Sequence, residues 1–249
     1  MLSIVGKMSS NRIKELINAL NAEQDTEIIN ELISIGKTAI DQLIDALQHE
    51  KWYVRRKISE ILGELQDKRV VSSLIETLKE EKNSYVRETC VESLGKIGKK
   101  TTIPFLISLL RDKDPQVRIE ASLALGKMKA VRAVPSLCNN LSAKNAGVRW
   151  AAVRAIGAIK DAKAAVIPLI SLLDEEKEKG SNIRDWSAWA LGEIGDTRAI
   201  KPLIAALKKD KSPDVRQEAE LALEEIAKKH QYSKEELTTR YEYNNRNNE

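Results

Sequence analysis

The chain has 249 residues, 42% apolar and 31% charged, which is typical of a water-soluble globular protein and excludes a disordered one. Its 41 basic residues exceed the 37 acidic ones by only four, so the charge balance does not indicate a nucleic-acid binder. No apolar run approaches the roughly 20 residues that span a bilayer, and Cys90 and Cys138 have neither disulfide nor zinc spacing, so we expect a cytoplasmic protein.

The first predicted element is a pair of helices over residues 9–36. Apolar residues recur there at helical spacing in two stripes. The stripes are Leu16, Ile17 and Leu20, then Ile28, Ile29, Leu32 and Ile33. Asp25 stands where later pairs carry an arginine. A terminal repeat lacks one neighbour, so this departure predicts a divergent N-terminal cap.

An internal repeat follows along the rest of the chain. Its most regular feature is an arginine that recurs at spacings of 32, 31, 31, 35 and 32 residues. The arginines are Arg55, Arg87, Arg118, Arg149, Arg184 and Arg216. A glycine lies eight residues after each of the first five, and Glu224 replaces it in the sixth. The glycines are Gly63, Gly95, Gly126, Gly157 and Gly192.

Each repeat has the pattern of a helical hairpin. A first helix begins near a proline such as Pro104 or Pro202, which suits a first helical turn. In the second helix the positions −1, +3, +6, +7 and +10, counted from the arginine, are apolar and share one face. Gly98 and Gly195 are predicted C-caps. The composition, with 11 glycines, 6 prolines and 1 phenylalanine, also favours an all-α fold over a β-sandwich.

About seven hairpins are therefore predicted to form one α-solenoid over residues 1–230. Within it, residues 37–212 are the regular repeats and 213–230 are a C-terminal cap helix, whose Glu218 and Glu220 are expected to be solvated. Residues 231–249 are predicted to be a polar tail with a short helix followed by disorder.

The repeat resembles a known family. The Val-Arg pairs with their later glycine, and the Asp-x-Asp-Pro-x-Val-Arg turn at 112–118, resemble the HEAT repeat, in particular the short form first named from phycobilisome lyases. The resemblance covers residues 38–229 well and 9–36 weakly. It implies a right-handed superhelix of the kind that serves mainly as a scaffold or partner-binding surface, with enzymes a minority.

The row of arginines has two interpretations, a phosphate-binding ladder or a structural ladder between repeats. The arginine occurs once in each repeat, which favours the structural interpretation, because each contact between neighbouring repeats would need one such arginine. In that interpretation each arginine reaches an acidic or carbonyl acceptor in a neighbouring turn, and Asp114 and Asp214 are the expected acceptors.

The sequence offers no credible catalytic constellation, metal site or cofactor motif. It has two histidines, His49 and His230, too few for a Ser/His/Asp set to be proposed. His49-Glu50 is similar to the His-Glu pairs of the HEAT-repeat deoxyhypusine hydroxylases, but those enzymes need several pairs, so we reject that function. Nothing identifies a tetrapyrrole site either, although the repeat is named after bilin lyases.

The informative anomaly is on the outward side of the second helices, at offsets +1, +2, +5 and +9, which would line the concave surface of a solenoid. Most of these positions are charged, but in the fourth to sixth pairs large apolar residues occupy five of them and Arg154 occupies a sixth; the five are Ile119, Leu123, Trp150, Trp186 and Trp189. Clustered apolar side chains and arginine on a surface are typical of an interaction site. The alternative is that Trp186 and Trp189 only fill space between neighbouring helices.

Two functions from different classes follow. The first is a non-enzymatic, monomeric scaffold that binds a helix or extended peptide of a partner protein at the tryptophans, with Arg154 pairing a carboxylate. The alternative is a DNA-binding protein or an enzyme resembling the alkylpurine DNA glycosylases, because Asp185 lies beside Trp186 with Arg154 near. Outward glutamates such as Glu88 and Glu92 would repel phosphates, so nucleic acid is the less favoured partner.

Overall fold

The computed structural model describes residues 2–21, 25–174, 178–232 and 236. Within these ranges the chain is helical and contains no strand. The α-helices of the described chain are α1 (Leu2–Ala19), α2 (Thr26–Ile35), α3 (Ile40–Ala46), α4 (Trp52–Leu65), α5 (Val71–Glu80), α6 (Ser84–Ile97), α7 (Ile103–Leu109), α8 (Pro115–Lys127), α9 (Val134–Asn140), α10 (Ala146–Ile159), α11 (Val166–Leu172), α12 (Ser181–Ile194), α13 (Ile200–Lys209) and α14 (Pro213–Lys229).

The helix boundaries follow from local chemistry. Pro104 lies in the first turn of α7, where its missing N–H leaves no hydrogen bond unmade. The side chain of Asn83 accepts a hydrogen bond from the N–H of Tyr85 and so caps the start of α6. Gly98 and Gly195 end α6 and α12 in the left-handed conformation, which confirms the two predicted C-caps.

Two predicted segments are only partly described. Residues 175–177, within the 35-residue spacing between Arg149 and Arg184, lie outside the described residues. The same holds for residues 233–235 and 237–249, which include most of the predicted tail helix and the predicted disordered end.

The chain divides into two compact units, residues 1–124 and 125–249, with the boundary inside α8. In the N-terminal unit, α4 and α6 pack side by side, and α3 and α5 pack on the second helix of their own hairpins. In the C-terminal unit, α10, α12 and α14 pack in that order, with α9, α11 and α13 on their respective partners. Each unit is thus a row of helical hairpins joined through their second helices.

The repeated apolar positions form the core of each unit. In α4 the residues at −1, +3, +6 and +7 are almost completely buried: Val54, Ile58, Ile61 and Leu62. The repeated glycine lets neighbouring second helices approach closely. A Cβ on Gly192 of α12 would lie 2.8 Å from the Cα of Ala222 in α14, a distance that no packed Cβ tolerates.

Candidate functional site

The six repeated arginines share one mode of local binding. In each, Nη1 donates to the carbonyl oxygen of the residue six positions earlier, in the turn that precedes its own helix. For Arg216 that acceptor is the Asp210 carbonyl at 2.7 Å. The arginine therefore fixes the turn between the two helices of its hairpin.

Four of these arginines also bind a carboxylate of the next hairpin. Their Nε and Nη2 atoms donate to both oxygens of an acidic side chain at 2.6–3.2 Å. The pairs are Arg55–Glu81, Arg87–Asp112, Arg149–Glu178 and Arg184–Asp210. Each carboxylate also accepts the backbone N–H two residues further on.

The prediction that Asp114 and Asp214 are the acceptors was wrong. The carboxylates that receive Arg87 and Arg184 belong to Asp112 and Asp210, which lie earlier in the turn. Asp114 instead accepts the N–H of Gln116 and caps the start of α8. A residue that caps its own helix points along that helix axis and not toward the previous hairpin.

The structure brings four of the six predicted partner-binding residues together in the C-terminal unit. Trp150 on α10 and Trp186 on α12 meet edge to face with ring centroids 6.1 Å apart, and Trp186 meets Trp189 in the same way at 5.1 Å. We call Trp150, Trp186 and Trp189 the tryptophan cluster. The guanidinium carbon of Arg154 lies 5.3 Å from the Trp150 ring centroid and 5.9 Å from that of Trp186.

The tryptophans are half-buried, whereas the sequence predicted exposed positions. Trp189 is the most constrained, because a Cβ on Gly157 of α10 would overlap its ring. At the equivalent contacts, Gly126 faces Ala155 and Gly192 faces Ala222. Trp189 therefore does fill space between neighbouring helices, as the alternative interpretation held, and Arg154 beside the cluster is exposed.

The remaining two predicted residues, Ile119 and Leu123, lie in the N-terminal unit. Both are on α8 and both are half-buried. The same unit carries outward acidic side chains on α6 and α8. Burial, with some repulsion from neighbouring carboxylates, raises the pKa of Glu88 and Glu120, although Arg56 favours the charged form of Glu88.

Sequence reasoning missed a cleft in the C-terminal unit. Asp185, Trp186 and Trp189 of α12 and Glu218 of α14 line a space of about 350 Å³, which we call the acidic cleft. Burial raises the pKa of Asp185, and Asp214 raises it further, against the opposing effects of the Trp186 N–H and Arg184. Burial also raises the pKa of Glu218, and Asp185 adds to the shift.

The signal for this cleft was present in the sequence. Asp185 and Glu218 occupy the outward offsets +1 and +2 of their helices, the same offsets that singled out Trp150 and Trp186. Glu218 was predicted to be part of a solvated cap, but it is half-buried against α12. A terminal helix still covers the preceding repeat on one side, and that side is where Glu218 lies.

The described residues offer little reactive chemistry. No group of three or more His, Cys, Asp or Glu side chains among them could hold a metal ion. Burial raises the pKa of the Cys90 thiol to about 12, although a hydrogen bond with Ser59 opposes the shift. None of the helices in the described ranges is long and apolar enough to cross a membrane.

Comparison with known proteins identifies the family. The model of the HEAT repeats matches three overlapping stretches, residues 10–94, 71–147 and 134–224. The chain therefore belongs to the HEAT-repeat family, and the predicted resemblance is confirmed. The comparison with curated proteins gave no match.

Solved structures support the fold. The Escherichia coli protein YibA is 22% identical, with a TM-score of 0.67 over 89% of this chain and 83% of its own. The CpcE–CpcF complex of phycocyanin lyase from Nostoc is 23% identical, with a TM-score of 0.57 over 75% and 76%. A designed armadillo repeat protein in complex with the peptide (KR)4 is 17% identical, with a TM-score of 0.59 over 74% and 98%.

These likenesses confirm the predicted fold class, an all-α solenoid of helical repeats. Membership of the HEAT-repeat family supports, in general, a binding or adaptor role for a repeat scaffold of this kind. The residues that carry such a role in this chain must be argued from its own surface.

Proposed function

We propose that the chain is a non-enzymatic scaffold that binds a segment of a partner protein on the face formed by α10 and α12. The observation that carries the proposal is the tryptophan cluster with the Arg154 guanidinium beside it. Tryptophan and arginine side chains that are held rigidly and partly exposed contribute a large share of binding energy at protein interfaces.

Arg154 is the polar contact of this site. It is exposed, and among the described residues it forms no ion pair with a carboxylate. Its guanidinium carbon lies 5.3 Å from the Trp150 ring centroid and 5.9 Å from that of Trp186, so the cation is attracted by both indoles. An acidic side chain of the partner would accept hydrogen bonds from the N–H groups of Arg154. In the N-terminal unit, Ile119 and Leu123, at corresponding offsets of α8, are proposed separately as apolar contacts for a partner.

The arginine ladder belongs to the structural part of this proposal. Four of its members give their donors to carboxylates of the next hairpin and to carbonyl oxygens of their own turn. Donors that are engaged in this way have little capacity left for phosphates. The outward carboxylates of Glu88, Glu92 and Glu120 are a further obstacle to nucleic acid, and no observation favours the DNA-binding alternative.

Affinity capture from the native host tests the proposal. The wild type is compared with Trp186→Ala and with Arg154→Glu, a change at an exposed position that leaves the packing of α10 intact. We expect at least about tenfold lower recovery of the specific partner with either variant, as for loss of a central interface contact. Trp52→Ala, on α4 in the N-terminal unit, is the matched control and should recover the partner normally.

Circular dichroism establishes that each variant is folded before the comparison. Equal recovery by wild type, Trp186→Ala and Arg154→Glu would contradict the assignment of the binding face. Loss of recovery with Trp52→Ala as well would show that the tryptophan cluster is not the specific site.

A further inference from the structure

The acidic cleft has walls of two different kinds. The rings of Trp186 and Trp189 stand at 80° to each other with centroids 5.1 Å apart, and so form two perpendicular aromatic walls. Asp185, from the same helix, and Glu218, from α14, supply carboxylates at its border. Helices α12 and α14 pack directly on each other within the C-terminal unit, so the four side chains are held by the core of one folded unit.

Both carboxylates are half-buried, and among the described residues neither is held by an ion pair of the kind that other shielded acids of this unit form. Glu178 and Asp210, which are also shielded from water, are each bound by an arginine of the ladder. Among the residues described, the ion pairs of the C-terminal unit include neither Asp185 nor Glu218. Burial of two neighbouring acids outside any ion pair is unfavourable, and burial is the main cause of the raised pKa of each, although Arg184 opposes the shift at Asp185.

The aromatic walls have the chemistry to bind the missing charge. The faces of indole rings attract cations, most strongly where water is partly excluded. The chain already uses this interaction beside the cleft, where the Arg154 guanidinium lies within 6 Å of the Trp150 and Trp186 ring centroids, at 5.3 and 5.9 Å. Trp189 makes no such contact with Arg154, and it borders the cleft together with Trp186.

We propose that the acidic cleft binds one arginine side chain of the partner segment, with its guanidinium against the indole walls and its N–H groups directed to Asp185 and Glu218. This inference rests on the proposed function and names the chemistry of the partner. The volume of about 350 Å³ lies near the lower end for ligand clefts and suits one side chain. Arginine is preferred over lysine because a planar guanidinium can stack and bind carboxylates at the same time.

The two contacts together describe the partner segment. An acidic side chain would bind Arg154 on one side of Trp186, and an arginine would enter the acidic cleft bordered by Trp186 and Trp189. A segment that carries both charges would be distinguished from a purely acidic or purely basic one, because each would leave one site unpaired.

Titration of the full chain with acetyl-arginine-amide, followed by the indole N–H signals of the four tryptophans in NMR, tests the proposal. We expect saturable shifts of the Trp186 and Trp189 signals, while Trp52 in the N-terminal unit serves as an internal reference. Acetyl-citrulline-amide, which is nearly isosteric but uncharged, should cause no saturable shift. Acetyl-lysine-amide should bind more weakly than the arginine compound.

Charge-removing variants give the matched comparison. A double variant that carries both Asp185→Asn and Glu218→Gln should have a dissociation constant for acetyl-arginine-amide that is at least about tenfold higher, since both charged acceptors are lost. The control pair Asp161→Asn with Glu225→Gln removes the same charge at exposed positions of this unit and should bind like the wild type. Equal binding of citrulline, or unchanged binding by the Asp185/Glu218 variant, would overturn the proposal.

The outcome separates this inference from the proposed function. If Trp186→Ala loses the partner but acetyl-arginine-amide does not bind, the scaffold proposal stands and the arginine cleft is refuted. If acetyl-arginine-amide binds but the Asp185/Glu218 variant recovers the partner as well as the wild type, the cleft does not serve the partner and the inference fails.

Discussion

Arg184 and Asp210 form a two-point ion pair between α12 and the turn before α14, with N–O distances of 2.8 and 2.9 Å. Their side chains are only 6% and 2% exposed, which makes this the most buried of the four carboxylate pairs in the ladder. The Asp210 carboxylate also accepts the N–H of Ser212, and the backbone carbonyl oxygen of Asp210 accepts a hydrogen bond from Nη1 of Arg216. One residue therefore connects two successive hairpins, and its loss should be felt by both.

We predict that Arg184→Ala destabilises the chain by about 3–5 kcal/mol, because it leaves the buried Asp210 carboxylate without its cation. The measurement is the free energy of unfolding from urea titration. Arg198→Ala is the control, since the Arg198–Asp196 pair has an arginine that is 50% exposed and should cost less than about 1 kcal/mol. Similar losses in the two variants would contradict a dominant role for burial.

The dependence of stability on pH should have a maximum in the mildly acidic range. Burial opposes ionisation of Glu81, Glu178 and Asp210, but their hydrogen bonds with arginines and backbone N–H groups outweigh it and lower each pKa. An acid whose pKa is lowered by folding stabilises the fold at pH values above its ordinary pKa, which is 4.5 for glutamate and 3.8 for aspartate. That stability is lost as the pH falls through the lowered pKa of the folded state. The Arg198 guanidinium lowers the pKa of Asp196 to about 2, which marks the lower end of this range.

Other acids act in the opposite direction. Glu88, Glu120, Asp185 and Glu218 have pKa values raised above the ordinary 4.5 or 3.8, chiefly by burial. Their protonation stabilises the fold as the pH falls through those raised values. We expect the urea midpoint to increase slightly on acidification from neutral pH and to fall steeply below about pH 4. Glu88→Gln with Glu120→Gln should flatten the increase, and an unchanged profile in that variant would contradict this explanation.

The sequence was sufficient to predict the hairpins because the repeat multiplies a weak signal. A single Val-Arg pair says little, but six in register with a glycine eight residues later identify the second helices and their buried face. The C-caps at Gly98 and Gly195 followed from the same register. Local chemistry that recurs in every repeat is what one-dimensional pattern analysis detects best.

The side-chain partners were beyond that analysis, for geometric reasons. Helical periodicity gives the direction of a side chain but not how far it reaches. Ala155 and Ala222 cover the repeated glycines from offset +6, whereas Trp189 reaches over Gly157 from +5 because its indole is large. The acidic cleft likewise depends on Glu218 of α14 lying beside Asp185 of α12, a contact between separate repeats that no pattern within one repeat contains.

Gly192→Ala should destabilise the chain, although alanine is the better helix former. In an open helix the exchange would gain about 0.5–1 kcal/mol. Here the added Cβ would lie 2.8 Å from the Cα of Ala222, so α12 and α14 would have to separate, and such overpacking costs about 1–3 kcal/mol. Urea unfolding decides between the two effects, and Gly192→Ser, which is larger, should cost at least as much. An increase in stability would show that the helices separate freely.

Cys90 should be unreactive as long as the chain is folded. The thiolate is the reactive form of cysteine, and burial raises the pKa of this thiol to about 12 while leaving it with no exposed surface. In a Cys138→Ser background, which removes the half-buried second thiol, we expect no reaction with Ellman's reagent near pH 8 in buffer and one equivalent after unfolding in urea. The reaction rate at intermediate urea concentrations should follow the opening of α4 and α6, because Cys90 contacts Ser59 across that pair. Rapid modification in buffer would mean that these helices open far more readily than their completely buried core implies.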